Sequence, residues 1–154
     1  MSRLAIALLA AQIFGSGATP MIAQDSSYDN NALRAESRRG DLQIVRGKEG
    51  IVVARAGVFR APQVANLVRG SDNAVAEAKI FEHNFQPGQS FLALGIVTMG
   101  AALGVSRIDG VNTWISTGLT VASVALITYG GTKLESAYRA LSKAIWWYNR
   151  DLSR

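Results

Sequence analysis

Residues 91–132 read FLALGIVTMGAALGVSRIDGVNTWISTGLTVASVALITYGGT, and their only charged side chains are Arg107 and Asp109. This polar corner separates two apolar runs. A helix needs about 20 mostly apolar residues to cross a bilayer core. The second run, residues 110–132, exceeds that length, and the strongly apolar part of the first run is shorter. The sequence therefore predicts a two-helix transmembrane hairpin over residues 89–132, and the protein as a whole is expected to be a mainly α membrane protein.

The competing interpretation is a buried helical pair in a soluble bundle. Such a pair would need several surrounding helices to cover two fully apolar ones. A chain of 154 residues has few segments left for that purpose. The composition thus favours the membrane hairpin.

Small residues recur within both apolar runs at a spacing of four. Gly100 and Gly104 form one pair, and Gly118 and Ala122 form another. Such pairs let helix backbones approach closely in lipid, where apolar burial does not drive association. We expect these four residues to pack the hairpin. Trp114 and Tyr129 lie near opposite ends of the second run, which is typical of interfacial anchors.

The N-terminus has the features of a secretory signal peptide. Arg3 precedes an apolar segment, residues 4–14, and a small-residue stretch, residues 15–18. This order is typical of a cleaved signal peptide. The apolar segment is too short to cross a membrane easily. Residues 1–23 are predicted to be the signal, with cleavage after Ala18 or Ala23. An uncleaved anchor is the alternative.

Residues 24–41 are polar without a sustained apolar period, which predicts a linker. Residues 42–88 are predicted to form a small extramembrane region. Its β-prone runs, residues 42–45 and 51–54, flank a turn containing Gly47 and Gly50 and predict a β-hairpin.

A helix is expected to begin at Ala61-Pro62, because proline suits a first helical turn. Ser71 is a candidate N-cap for the next helix. That helix has one apolar stripe and ends the soluble region near Pro87. The stripe consists of Ala74, Ala78, Phe81 and Phe85.

Residues 133–154 predict an amphipathic C-terminal helix. Its apolar positions are spaced alternately by four and three residues, as in a coiled-coil seam, with two flanking tryptophans. Three uses remain open for this surface: docking on the Phe81/Phe85 helix, lying among lipid headgroups, and pairing with another copy. The expected docking residues are Leu134, Tyr138, Leu141, Ile145, Trp146, Trp147 and Tyr148.

Charge and composition exclude several functions. Cysteine is absent, so disulfides and thiolate chemistry are excluded. The net charge of +5 is spread along the chain without aromatic interleaving, which disfavours nucleic-acid binding. His83 is the only histidine and lacks a second ligand at metal-binding spacing. No nucleophile elbow, paired carboxylates or phosphate loop occurs. We therefore expect no enzyme, no cofactor, no metal and no small-molecule substrate.

The chain resembles a loose group of small bacterial envelope proteins without assigned activity. The likeness covers residues 42–150 and rests on Ser71-Asp72-Asn73-Ala74, the series Gly95, Gly100 and Gly104, and residues 143–149, which include the pattern Ala-x-x-x-Tyr-Asn. The resemblance implies an architecture of signal peptide, β segment and glycine-rich hydrophobic pair. It adds no chemistry.

The expected function is that of a non-enzymatic, membrane-anchored interaction or accessory subunit in the bacterial envelope. Its partners would be the lipid bilayer and either further copies or another envelope protein. A holin-like, pore-forming hairpin is the alternative. The signal peptide places the soluble part outside the cytoplasm, whereas the sparse charge at the hairpin corner argues for the opposite orientation.

Overall fold

The computed structural model describes residues 26–38, 41–57, 62–108 and 112–154. The predicted signal peptide, residues 1–23, lies outside the described residues. Within these ranges four helices and three strands follow one another: α1 (Ser26–Asn31), β1 (Leu33–Arg38), β2 (Asp41–Arg46), β3 (Ile51–Arg55), α2 (Val64–Leu67), α3 (Asp72–Val105) and α4 (Thr113–Leu152). The predicted mainly helical fold with two long apolar helices and a small β element is confirmed.

The sheet has three antiparallel strands in the order β1-β2-β3. The predicted hairpin corresponds to β2 and β3, whose turn holds Gly47 and Gly50 at φ 70° and 69°. Strand β1 was not predicted, and it lies in the stretch interpreted as a linker. Only its first residue, Leu33, is buried, so the strand carries no alternating apolar pattern that would reveal it.

Helices α3 and α4 are longer than the sequence predicted. Pro87 lies inside α3, which continues to Val105, and α4 passes without a break from the apolar run into the C-terminal segment. Pro87 has no N–H to donate to the carbonyl of His83. The loss of this hydrogen bond usually kinks or ends a helix at proline. Packing of α3 along α4 on both sides of this position accounts for the continuous helix.

A polar side chain caps the N-terminus of each long helix. The Ser71 hydroxyl accepts a hydrogen bond from the Ala74 N–H at 3.3 Å. The Asn112 amide oxygen accepts one from the Trp114 N–H at 3.0 Å. Ser71 therefore has the capping role that the sequence predicted for it.

The seam between α3 and α4 repeats every seven residues. This is the period of a coiled coil, in which every second turn presents the same face to the partner helix. Small residues occupy most of the buried positions and allow the two backbones to approach closely. The repeating positions are Ala74, Phe81, Gly88, Gly95 and Ala102 on α3, and Ser123, Gly130, Ala137 and Ala144 on α4.

The hairpin has two halves with different surroundings. In the base half, residues 72–88 of α3 and 130–152 of α4 pack with α2 and the sheet around one core. That core includes Phe81 and Phe85, which are 0% and 1% exposed. In the tip half, residues 91–108 and 112–129, the described residues form no cluster beyond the contact between the two helices.

Candidate functional site: the apolar tip half and its boundary

The tip half exposes large apolar side chains around both helices. Val97 is 68% exposed and Trp114 is 80% exposed. Both helices are long and apolar enough to cross a membrane by length and composition, and only 17% and 11% of their most apolar windows are buried. A core helix of a soluble protein would be mostly buried. The other residues of this surface are Leu94, Ile96, Leu103, Ile108, Ile115, Val121 and Val124.

The hydroxyl groups of the tip half are satisfied within their own helices. The Thr98 hydroxyl donates to the Leu94 carbonyl at 2.8 Å, and the Thr120 hydroxyl donates to the Ser116 carbonyl at 2.9 Å. The buried Ser123 hydroxyl donates to the Thr120 carbonyl at 2.7 Å. Such bonds let polar residues lie in surroundings that offer no water.

Three glycines create the close approach between the helices. A Cβ at Gly95 would lie 2.9 Å from the Ile127 nitrogen, and one at Gly130 would lie 2.6 Å from the Leu92 nitrogen. A Cβ at Gly88 would lie 3.0 Å from the Leu134 nitrogen. At Gly95 and Gly130 a methyl group would require backbone movement, and at Gly88 it would require Leu134 to shift.

The residues predicted to pack the hairpin do not lie at this contact. A Cβ at Gly100, Gly104 or Gly118 would meet no atom within 4 Å, and Ala122 is exposed. The prediction that these four bring the two helices of one chain together is therefore wrong. The prediction relied on a spacing of four residues. The seam follows a seven-residue period, so these positions lie on the outer faces of the two helices.

A polar and aromatic layer marks the boundary between the halves. The Lys133 ammonium donates to the Asn84 amide oxygen at 3.2 Å and lies 5.7 Å from the centre of the Tyr129 ring. The rings of Phe91 and Tyr129 meet edge to face, with centres 4.9 Å apart. Beyond this layer, toward the tip, Arg107 is the only charged side chain among the described residues.

The C-terminal part of α4 lies against α3. Leu141 is buried in the core that contains Phe81 and Phe85, and the Tyr138 ring meets the Phe85 ring edge to face at 6.2 Å. The predicted docking residues Leu134, Ile145, Trp147 and Tyr148 pack against this core while partly exposed. Tyr138 and Trp146 remain 42% and 57% exposed. The small seam residues Ala137, Ala140 and Ala144 were missed, although their three- and four-residue spacing was visible in the sequence.

The C-terminal end of α4 is hydrogen-bonded to strand β1 of the sheet and to the residue that precedes α3. The Asn149 amide accepts a hydrogen bond from the Leu33 N–H and donates one to the Leu33 carbonyl, both at 2.8 Å. The Ser71 hydroxyl donates to the Asp151 carboxylate at 2.5 Å. That bond, followed by the bonds from Arg150, holds the pKa of Asp151 below its ordinary range. These contacts give Asn149 and Asp151 structural roles.

Among the described residues, the side chains suited to metal binding do not converge. His83 is exposed, and the neighbouring Glu82 accepts a hydrogen bond from the Ala65 N–H at 2.9 Å. Across residues 26–38, 41–57, 62–108 and 112–154, no three His, Asp or Glu side chains are grouped so that they could hold a metal ion. The described residues form an apolar surface that ends at the layer of polar and aromatic side chains.

No protein-family model, curated protein or solved structure matches this chain.

Proposed function

We propose that this chain is a non-enzymatic envelope protein that is anchored by residues 91–129 as a membrane-spanning helical hairpin. The single observation that carries the proposal is the tip half, whose large apolar side chains point outward from both helices. Burying such side chains gains about 25 cal/mol per Å² of apolar surface. A lipid core would supply that burial for both helices at once.

The length of the tip half fits a bilayer. Lys133 and Trp114 are 19 residues apart on α4 (133 − 114 = 19), a distance of about 28 Å at 1.5 Å per residue. The hydrocarbon core of a bilayer is about 30 Å thick. Tyr129 and Lys133 at one end and Trp114 and Arg107 at the other are the residue types that prefer the two interfaces.

The base half would then stand outside the membrane, with the sheet at its far end. Asn149, which holds Leu33, is 16 residues beyond Lys133 (149 − 133 = 16), or about 24 Å along the helix. Two spans return the chain to the side where it started. Together with the predicted signal peptide, this supports an extracytoplasmic position for the base half.

Fractionation of cell membranes tests the anchor. The protein should stay in the membrane pellet through an alkaline carbonate wash and dissolve only in detergent. Release by carbonate alone would contradict the proposal. N-terminal sequencing of the same material would locate cleavage after Ala18 or Ala23, or show that the signal is retained.

Two matched substitutions separate lipid exposure from water exposure. Val97 in the tip half is 68% exposed, and Ile80 in the base half is 46% exposed. We expect Val97→Glu to reduce membrane insertion, because a carboxylate in mid-membrane is costly, and Ile80→Glu to have little effect. Equal tolerance of both changes would indicate that both positions face water.

The role of the anchored base half is proposed to be interaction with a further protein or a further copy. Tyr138 and Trp146 on the outer side of α4 support this role, because exposed aromatic residues are enriched at interfaces. Crosslinking in isolated membranes should give a discrete larger species. A monomer as the only product would count against an interaction subunit.

A holin-like, membrane-perturbing hairpin is the second candidate. It is favoured by the outward position of Gly100, Gly104 and Gly118, which leaves a small-residue surface open for contact between copies. Induced expression should then admit a normally excluded dye, and replacing Gly100 and Gly104 with Leu should abolish the leak. Unchanged dye uptake on induction would dismiss this candidate.

A further inference from the structure

Helix α4 carries four basic residues, and three of them are paired with carboxylates. Arg139 contacts Glu135, Lys143 lies 3.8 Å from Glu77, and Arg150 lies 2.8 Å from Asp151. Lys133 is the exception. No carboxylate oxygen of the described residues lies within 4.0 Å of its ammonium group.

Lys133 is nevertheless held in a fixed place. Its ammonium donates to the Asn84 amide oxygen at 3.2 Å, and the Asn84 nitrogen in turn donates to the Ile80 carbonyl at 3.1 Å. Asn84 is only 9% exposed, and the Tyr129 ring lies beside the ammonium. An ammonium has three N–H donors, so two remain for a ligand beyond Asn84.

The position of Lys133 indicates what that ligand is. It is the first charged residue of α4, directly after the uncharged residues 113–132. Its neighbour Tyr129 is 49% exposed, at the edge of the apolar surface of the tip half. A ligand that lies here meets a cation on one side and exposed apolar side chains on the other.

We propose that Lys133, positioned by Asn84, binds the phosphate of an anionic phospholipid at the base-half face of the membrane. The inference rests on the proposed membrane hairpin and adds the headgroup class and the residue that binds it. A free phosphate would satisfy the ammonium equally well but would leave the adjacent apolar surface uncovered. An anionic phospholipid supplies acyl chains together with a net negative charge, whereas a zwitterionic headgroup carries its own ammonium beside the phosphate.

The test uses the full-length protein in vesicles of phosphatidylcholine alone and of an equal mixture with phosphatidylglycerol. The wild type should retain phosphatidylglycerol on purification and resist heating better in the mixed vesicles. Lys133→Gln should lower the retained phosphatidylglycerol by about fivefold, the effect expected for one basic residue at an anionic surface. Lys133→Arg should largely restore it.

Lys143→Gln is the matched control, because it removes the same charge from the same helix at a residue that already has a carboxylate partner. It should behave like the wild type. Equal losses in Lys133→Gln and Lys143→Gln would overturn the assignment in favour of a general charge effect. Stabilisation of the wild type in phosphatidylcholine by inorganic phosphate to the same degree would overturn the choice of a lipid.

The vesicles also separate this inference from the proposed function. If the wild type inserts but phosphatidylglycerol retention is the same in Lys133→Gln, the headgroup assignment is wrong and the anchor stands. If the wild type does not insert at all, both are wrong. Circular dichroism of each variant confirms that the helices remain folded.

Discussion

Gly95 and Ile127 bring the two long helices into backbone contact, since a Cβ on Gly95 would lie 2.9 Å from the Ile127 nitrogen and 2.7 Å from its Cγ1. The contact lies in the tip half, where the other buried residues of the two helices are Ala102 and Ser123. Gly88 and Gly130 make equivalent contacts nearer the boundary. The hairpin therefore depends on hydrogen-sized side chains at these three positions.

Gly95→Ala should destabilise the hairpin, because the backbone of α4 must move to admit the methyl group. Overpacking of this kind costs about 1–3 kcal/mol. Gly100→Ala is the control, since its Cβ would meet no atom within 4 Å and alanine favours helix by about 1 kcal/mol over glycine. The unfolding midpoint in detergent should fall for Gly95→Ala and stay level or rise for Gly100→Ala. The reverse order would show that the α3–α4 contact is misassigned.

Asn149→Ala should release β1 from α4. The substitution removes both hydrogen bonds to Leu33 and leaves its N–H and carbonyl without those partners, at a cost of about 1–3 kcal/mol. Hydrogen exchange should accelerate at Leu33 more than in β3. Asn73→Ala, at an exposed position on the first turn of α3, should leave exchange unchanged. Similar protection of Leu33 in both variants would contradict this role for Asn149.

The pH dependence of stability should reflect Asp151. Its pKa is lowered in the folded protein, chiefly by the Ser71 hydrogen bond and then by Arg150, so the unfolded chain binds the proton more tightly. This stabilisation is complete above about pH 4, the ordinary range of an aspartate, and is lost as the pH falls through the folded pKa. Asp151→Asn should flatten the loss of stability that the wild type shows as the pH falls below about 4. Ser71→Ala should raise the pKa of Asp151. An unchanged acid profile in Asp151→Asn would refute the assignment.

The sequence predicted the parts of the fold that have strong local signals. The glycine turn at Gly47 and Gly50 located the β2–β3 hairpin, and Ser71 located the start of α3, because backbone conformation and capping act over a few residues. The two apolar runs indicated the long helices, because a run of apolar residues is also a local feature of the sequence.

Contacts between residues far apart in the sequence could not be predicted from local patterns. Strand β1 depends on pairing with β2 and on Asn149, which is 116 residues away from Leu33. Pro87 suggested a helix end, yet packing against α4 on both sides outweighs the missing hydrogen bond. The recurrence of Gly88, Gly95 and Ala102 every seven residues was present in the sequence and would have identified the seam.

Cysteine accessibility along α3 tests the membrane hairpin most directly, because the chain has no cysteine of its own. Single cysteines would replace Ala76, His83 and Val97, all of which lie exposed on α3. A membrane-impermeant maleimide should label the first two in intact membrane preparations and leave Val97→Cys unlabelled until detergent is added. Labelling of Val97→Cys as fast as Ala76→Cys before detergent would contradict the account.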